Sequence, residues 1–418
     1  MKESIFENLD QLQTHSSNKT AWNRFTALGL PQKQSEAFRY FPLRQFYEES
    51  FAVQAETTLS AEAIAPYILP ETQDSVIVFI DGVFHPHLSR LQAVEKQIIF
   101  LPLEEALRTY GAFLQNRMAK MLPDEKNAFA ALNIALSPNA LFAYVPPRNT
   151  VTAPIQCLQF VTREKCVVFP RVHLFVGAGA DVSWITHHVS LHKESSWSNG
   201  LLDIALEDGA RCHHTHLVAE ENNTWHFDAL RATLKKESHL ESFHVCMGGR
   251  APRLDARLIL CGENGNASLQ GLWALDRKKQ AHMYTTVEHH APVCRSMQRF
   301  KGVLKDFSQS SFEGKIFVKP IAQKTEAYQI NNNLILNDGA MAYSKPNLEI
   351  FADDVKASHG ATVAQLNEQE LFYLKTRGLS EALSKKLLVT GFCKEILDQI
   401  PYQSIKEQLQ KNVYEMLQ

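Results

Sequence analysis

The chain has 418 residues, 45% of them hydrophobic, and a formal net charge of −2, enough apolar content for a large core in two or three units. With no lysine- or arginine-rich block, the near-neutral charge argues against nucleic acid as a partner. No apolar run approaches the roughly 18 residues that span a bilayer, so no membrane contact is expected.

Residues 1–8 have neither the layout of a signal peptide nor the bias of a transit peptide, so a cytoplasmic protein is expected. Residues 1–75 read as an amphipathic helical region. Phe6, Leu9 and Leu12 recur at one-face spacing, as do Trp22, Phe25 and Leu28, and Gly29 followed by Pro31 is a helix stop. Residues 76–142 read as a mixed lead-in. Val76 to Ile80 forms a strand, Asp81-Gly82 a hairpin turn into Val83-Phe84, and helical patterns follow over 103–121 and 124–136.

From residue 143 to 362 the chain reads as strand after strand. Polar turns at Gly177 to Asp181, Glu207 to Ala210, Lys235 to Ser238 and Gly262 to Asn266 recur about every 28 residues, which falls in the solenoid range. The spacing fits one coil, or one out-and-back pair of strands, per repeat. The pattern fades after residue 290 and returns at Asn337 to Ala340, and Asn331-Asn332-Asn333 is a candidate amide ladder between coils. Residues 363–418 read as helical. Asn367 with Glu370 caps one helix; Leu383, Leu387, Phe392, Ile396 and Ile400 draw an apolar stripe; and Ser404 with Glu407 opens a last helix faced by Ile405, Leu409, Val413 and Met416.

The seven cysteines are scattered, without a Cys-x-x-Cys pair. That is unlike a disulfide framework or a structural zinc site, and most are read as buried small hydrophobes. The pairs His187-His188 and His289-His290, and the trio His213, His214 and His216, alternate faces on a strand. Only His214 and His216 share a face, and two imidazoles alone are a poor iron site. These are therefore read as surface or packed strand histidines, and Asp353-Asp354 as turn or partner-contacting charges rather than a catalytic dyad. Neither a Gly-x-x-x-x-Gly-Lys-[Ser/Thr] loop nor a Gly-x-Ser-x-Gly elbow is present, so the chain is expected not to be an enzyme.

The most telling run is Ser344-Lys345-Pro346-Asn347-Leu348-Glu349-Ile350-Phe351-Ala352-Asp353-Asp354-Val355-Lys356-Ala357-Ser358-His359-Gly360-Ala361-Thr362. It reads as a buried strand, with Leu348, Ile350 and Ala352 on one face, running out into a polar turn. The turn places His359 among small residues that let other backbone approach, and neutral imidazole is a common ligand for borderline metals such as iron. This run resembles the SufB/SufD family of the SUF iron–sulfur assembly machinery. So do Gly29-Leu30-Pro31 with 36–40, residues 127–133 and 143–146, Arg295 to Leu304, Gly314 to Val318 with 322–327, and residues 371–379. The Ser-His-Gly-Ala-Thr form and the length favour the SufD branch over the longer SufB branch.

The resemblance implies a mainly β protein: a right-handed parallel β-helix flanked by N-terminal and C-terminal helical regions. It implies a non-catalytic scaffold that pairs with a SufB-like paralogue and with SufC-like ABC-type ATPases. These ATPases would dock on the C-terminal helices, where Leu383, Leu387, Phe392 and Ile396 form the candidate stripe. No cofactor is expected to stay bound to the chain alone; a transient iron–sulfur cluster, or iron, would be shared at the subunit interface. His359 matches the family histidine regarded as a ligand there, beside a cysteine and a glutamate of the SufB-like chain. Many relatives carry cysteine two residues earlier, where this chain has Ala357, so it cannot offer a Cys-x-His pair. The family also suggests a homodimer when the paralogue is absent. Two other classes fit a solenoid: an interaction protein without a cluster role, and a carbohydrate-active β-helix enzyme. The free cysteines and the opening residues disfavour the second.

Overall fold

The structure is a computed structural model that describes residues 18–53, 57–111, 114, 122–137, 139–219 and 223–417. Two ten-stranded sheets dominate it. Sheet I holds β1 (Val76–Ile80), β2 (Val83–Phe84), β5 (Ile155–Val161), β8 (Asp181–Ser190), β10 (Arg211–Val218), β12 (His239–Cys246), β14 (Asn266–Leu275), β16 (Arg295–Leu304), β18 (Thr325–Ile335) and β20 (Val355–Ala364). Sheet II holds β3 (Ile99–Pro102), β4 (Leu141–Val145), β6 (Val167–Val168), β7 (Arg171–Val176), β9 (Ser196–Leu206), β11 (Thr224–Leu234), β13 (Arg253–Leu260), β15 (Gln280–His289), β17 (Gln309–Val318) and β19 (Met341–Ile350). From β7 onward the chain alternates between sheets and every in-sheet pairing is parallel, which makes a β-solenoid of about 8 turns. The expected fold is the observed one.

The coil corners explain why the repeat is regular. Many of them take a residue in the left-handed region, supplied by Gly179, Gly209, Glu237 and Asn264 in the early coils. Corners then stack by backbone hydrogen bonds, Gly179 N to Asp208 O and Gly209 N to Lys236 O, both 2.8 Å. The repeat does not fade after residue 290. Val293, Asp306 and Lys324 take the left-handed corners there, with φ of 60°, 59° and 58°, and β16 to β18 continue the stack. The asparagine run is not a ladder between coils. Asn333 Nδ2 donates to Asn331 Oδ1 within one strand at 2.7 Å, and Asn331 Nδ2 donates to Phe300 O at 3.3 Å.

Like residues of parallel strands stack directly, so side chains facing the interior form continuous rows. Ile77, Trp184, Leu269, Leu202, Leu254 and Phe312 belong to one core cluster between the sheets. The outer face of sheet II is covered by the N-terminal region. α1 (Lys19–Leu28) is capped by the Asn18 side chain, which accepts from Ala21 N, and ends at Gly29 with φ 65°. Its Trp22 and Phe25, with Phe46 and with Phe129 of α3 (Ala128–Leu136), join Trp197, Trp225 and Phe227 of the sheet. Arg231 pins this layer down, buried between Glu125 at 2.8 Å and Asp255 at 2.8 Å. Of the expected helix over 103–121, α2 (Leu103–Thr109) is present, and residues 112–113 and 115–121 lie outside the described residues, as do Phe6, Leu9 and Leu12.

At the other end α4 (Glu368–Thr376), α5 (Glu381–Leu397) and α6 (Gln403–Met416) follow the last strand. Val389, Cys393, Ile396, Leu397, Ile405, Leu409, Val413 and Met416 pack on Ile185, Leu217, Leu272 and Val303 of sheet I. Asn367 caps α4 as expected, accepting from Gln369 N and Glu370 N. Glu407 does not cap α6. Glu71, from the N-terminal region, accepts from Ser404 N at 2.9 Å and from Ser404 Oγ at 2.6 Å. Among the described residues no helix is long and apolar enough to cross a membrane.

Candidate functional site at the open end

One interior row of sheet I runs Ile155, Trp184, His214, Ser242, Leu269, Gln298, Gln329, His359, one residue per coil. The first seven are at most 2% exposed. His359 is exposed. The difference is positional: β20 is the last strand of sheet I and β19 the last of sheet II, so among the described residues no further coil covers them. An imidazole that would be core one coil earlier therefore stands at the mouth of the solenoid.

His359 lies within a strand and not in a turn; the turn is formed by residues 351–354, where Asp353 and Asp354 sit exposed. β19 is half-buried, with Leu348 and Ile350 packed around Ala352 and Ile316. Ala357 and Ala361, both small, flank His359 on its own face, and on the opposite face of the strand a side chain at Gly360 would meet nothing within 4 Å. That openness leaves room for another chain's backbone. His359 belongs to none of the groups of three His, Cys, Asp or Glu donors found among the described residues, so this chain brings one ligand here and not a set. Both terminal strands keep an unpaired edge, and Met341, Phe351 and Val363 are exposed beside it. Unpaired edges of this length are templates for strand addition.

The C-terminal stripe divides. Leu383 and Leu387 are exposed, Phe392 is half-buried with Lys301 Nζ 4.7 Å from its ring centroid, and Ile396 is 1% exposed against sheet I. Ile396 is thus core, unavailable for docking as the chain stands. Phe372 and Tyr373 of α4 are exposed too, so the free apolar surface combines α4 with the first turns of α5. Glu395 ties α5 to the coils through Lys301 at 2.7 Å and Arg299 at 2.8 Å.

A second constellation was not foreseen. His188, His214, His216 and His244 from sheet I meet His226 and Asp228 of β11 in the solenoid interior, all at most 7% exposed. Burial, with help from His216, pushes the imidazoles of His214 and His226 down to about 3. Burial also takes His188 and His244 well below the ordinary histidine range, so these rings are neutral. Burial would raise the Asp228 carboxyl, but the facing His188 and the hydrogen bond from His216 outweigh it and hold it low. Part of the signal was in the sequence: His216 and His244 are 28 residues apart and stack in register on β10 and β12, while His188 lies on the same face two residues beyond Thr186, the residue opposite His216. His226 and Asp228 lie two apart on one strand face. His188, His214 and His216 are thus packed strand histidines, one of the two readings the sequence offered, and the structure adds that they meet one another.

Buried thiols offer little by comparison. Burial pushes Cys157, Cys166, Cys246 and Cys393 up to about 12 and Cys294 to about 11, so they are not thiolates at neutral pH.

The chain was compared with known proteins. Residues 160–392 match the SufBD core domain of SUF-system FeS cluster assembly, and residues 3–157 match the SufBD protein N-terminal region. An iron–sulfur cluster assembly SufBD family protein of Synechocystis is 27% identical over 400 residues, covering 93% of this chain and 87% of the relative. The iron–sulfur cluster assembly protein SufD of Escherichia coli is 27% identical over 390 residues, covering 91% and 88%. A SufBD family protein of Mycobacterium tuberculosis is 32% identical over 216 residues, covering 50% and 54%. Matching domains across nearly its whole length, arranged as a capped solenoid with helices at both ends, place the chain in the SufB/SufD family.

Proposed function

We propose that the chain is a non-catalytic scaffold subunit of a SUF-type iron–sulfur assembly complex. Its open end pairs with a SufB-like chain, and His359 supplies one imidazole to the cluster under construction, which is cargo and not a resident cofactor. The observation that carries this reading is the last rung of the interior row: seven buried residues followed by one exposed histidine. A lone neutral imidazole is a poor site by itself and a good one when a second chain adds donors. Ala357 sharpens the dependence, since no cysteine stands two residues before His359.

The exposed surface of α4 and α5 is the docking face for a SufC-like ATPase, with Leu383 and Leu387 as its apolar contacts. Glu395, bound to Lys301 and Arg299 of β16, gives movement of those helices a rigid path into the coils. The same open edges support a homodimer when the SufB-like chain is missing. The test is His359→Ala in the assembled complex, read by cluster yield after anaerobic reconstitution with iron and sulfide. Yield should fall several-fold while complex size and thermal midpoint stay put. Full yield from the variant complex would remove the ligand role.

A further inference from the structure

We propose that His188, His216, His226 and Asp228 form a metal site inside the solenoid that takes one divalent first-row transition-metal ion through imidazole nitrogen and carboxylate oxygen. This does not rest on the role assigned to His359, which lies at the solenoid's open mouth.

Three donors already make a triangle. His188 Nε2 is 3.2 Å from His216 Nε2 and 3.5 Å from Asp228 Oδ1, and His216 Nε2 is 3.3 Å from Asp228 Oδ2. Bonds of about 2.1 Å to a tetrahedral ion separate neighbouring ligand atoms by ~3.4 Å, and each of these separations is of that length, the two to Asp228 reaching its two different carboxylate oxygens. His226 stands beside it. Its ring centroid is 5.1 Å from that of His188, and one donor atom each of His188, His226 and Asp228 lies within 4.8 Å of the others. A small side-chain adjustment closes the fourth corner.

Hydrogen bonding accounts for the contacts among His188, His216 and Asp228 but not for His226. His226 is 1% exposed, and neither of its ring nitrogens has a hydrogen-bond partner; nor does His188 Nδ1. Buried polar atoms normally find partners, and a ring with both nitrogens idle is what remains when a ligand's ion is removed. The neighbouring histidines, by contrast, have their own hydrogen-bond partners. His214 Nδ1 is 2.8 Å from Ser242 Oγ, and Ser242 Oγ is 3.1 Å from His244 Nε2. Gly200 matters because a Cβ there would sit 2.3 Å from Asp228 Oδ1; only glycine lets the carboxylate take its position.

There is also a way in. Gly249, at φ +75°, covers His226 closely enough that a Cβ would lie 3.1 Å from His226 Cδ2. Gly249, Trp225 and Arg250 line a surface groove of about 860 Å³. A short movement of that loop would open the groove onto the ring. The donor set contains no sulfur, which suits Fe²⁺, Co²⁺ or Zn²⁺ over thiophilic ions such as Cu⁺.

The experiment is a Co²⁺ titration of the full chain after chelation and gel filtration, followed by its visible absorption. One equivalent should bind, giving the bands of a tetrahedral nitrogen–oxygen site with no thiolate charge transfer. His226→Gln and Asp228→Asn should each weaken binding at least tenfold, and His359→Ala should leave it unchanged. X-ray absorption of the Co²⁺-loaded wild-type chain keeps the test independent of how the variants fold: a nitrogen–oxygen shell with imidazole scattering is expected. Absence of saturable uptake by the wild type, a sulfur shell, or full binding by folded Asp228→Asn would overturn the proposal.

Discussion

The two ends of the solenoid are built on opposite plans. At the first end, sheet I stops at β2, two residues long, and sheet II at β3, four residues long and finishing at Pro102. Both are antiparallel to their neighbours. β2 is folded back by a tight turn with Asp81 at φ 49° and Gly82 at φ 85°. At the last end β19 and β20 are ten residues each, parallel, and paired on one side only. Short reversed strands and proline are ways of ending a sheet without inviting another chain. Two long parallel strands invite one. One end closes itself and the other leaves two long edges free with His359 on the free one; under the proposed function that is the end a partner chain would complete.

Substitutions along interior positions sharpen this contrast. The largest effect is expected at Trp184, fully buried in the His359 row. Trp184→Ala should cost about 3–5 kcal/mol of stability, read from the denaturant midpoint. A cost below ~1 kcal/mol would mean the interior rows do not carry the fold.

The next effect is a pH dependence of two buried histidines of β15, His282 beneath the N-terminal layer against Phe41 and His289 on the inward face with Ala281, Met283 and Val287. Burial, aided by Arg253, holds His282 down to about 3, and burial with His290 holds His289 to about 4. Both are neutral in the fold but titrate near 6.5 when unfolded. Their stabilising contribution is whole above pH ~6.5 and is lost as pH falls toward about 3 to 4. Each adds a slope of about 1.4 kcal/mol per pH unit below ~6.5. His282→Gln should flatten the stability profile by one such share, and an unchanged profile would contradict the assignment.

The smallest effect is expected at the open end. Val363 follows buried Asn333 in an interior row, yet is 49% exposed. Val363→Ala should change the stability of the lone chain by no more than ~0.5 kcal/mol while weakening assembly with a SufB-like chain. A large loss in the lone chain would show that the end is already covered.

How much of this was legible depended on whether the signal was local. The solenoid could be read because each early coil spends a glycine, asparagine or acidic residue on a left-handed corner. The reading faltered after residue 290, where Val293 and Lys324 hold such corners without announcing them. His359 stands out in the sequence, but the small residues around it read as a turn. An exposed end strand has no core on one side to impose a hydrophobic alternation. The apolar stripe of α5 failed at one step: Leu387 and Phe392 are five residues apart, about 140° around a helix. That separates exposed Leu383 and Leu387 from buried Ile396. The histidine group was invisible to a strand-by-strand reading because its members come from different coils and both sheets. Stacking sets His244 on His216 and Thr186 opposite it, and His188, two residues beyond Thr186 on the same face, reaches the group diagonally.

Amide hydrogen exchange across β19 and β20, in the lone chain at low concentration and again after adding a SufB-like chain, tests the account most directly. The residues flanking His359 should exchange readily alone and become protected on mixing, while β1 to β3 stay unchanged. Protection that falls elsewhere, with the last two strands exchanging as before, would contradict an open end made for a partner.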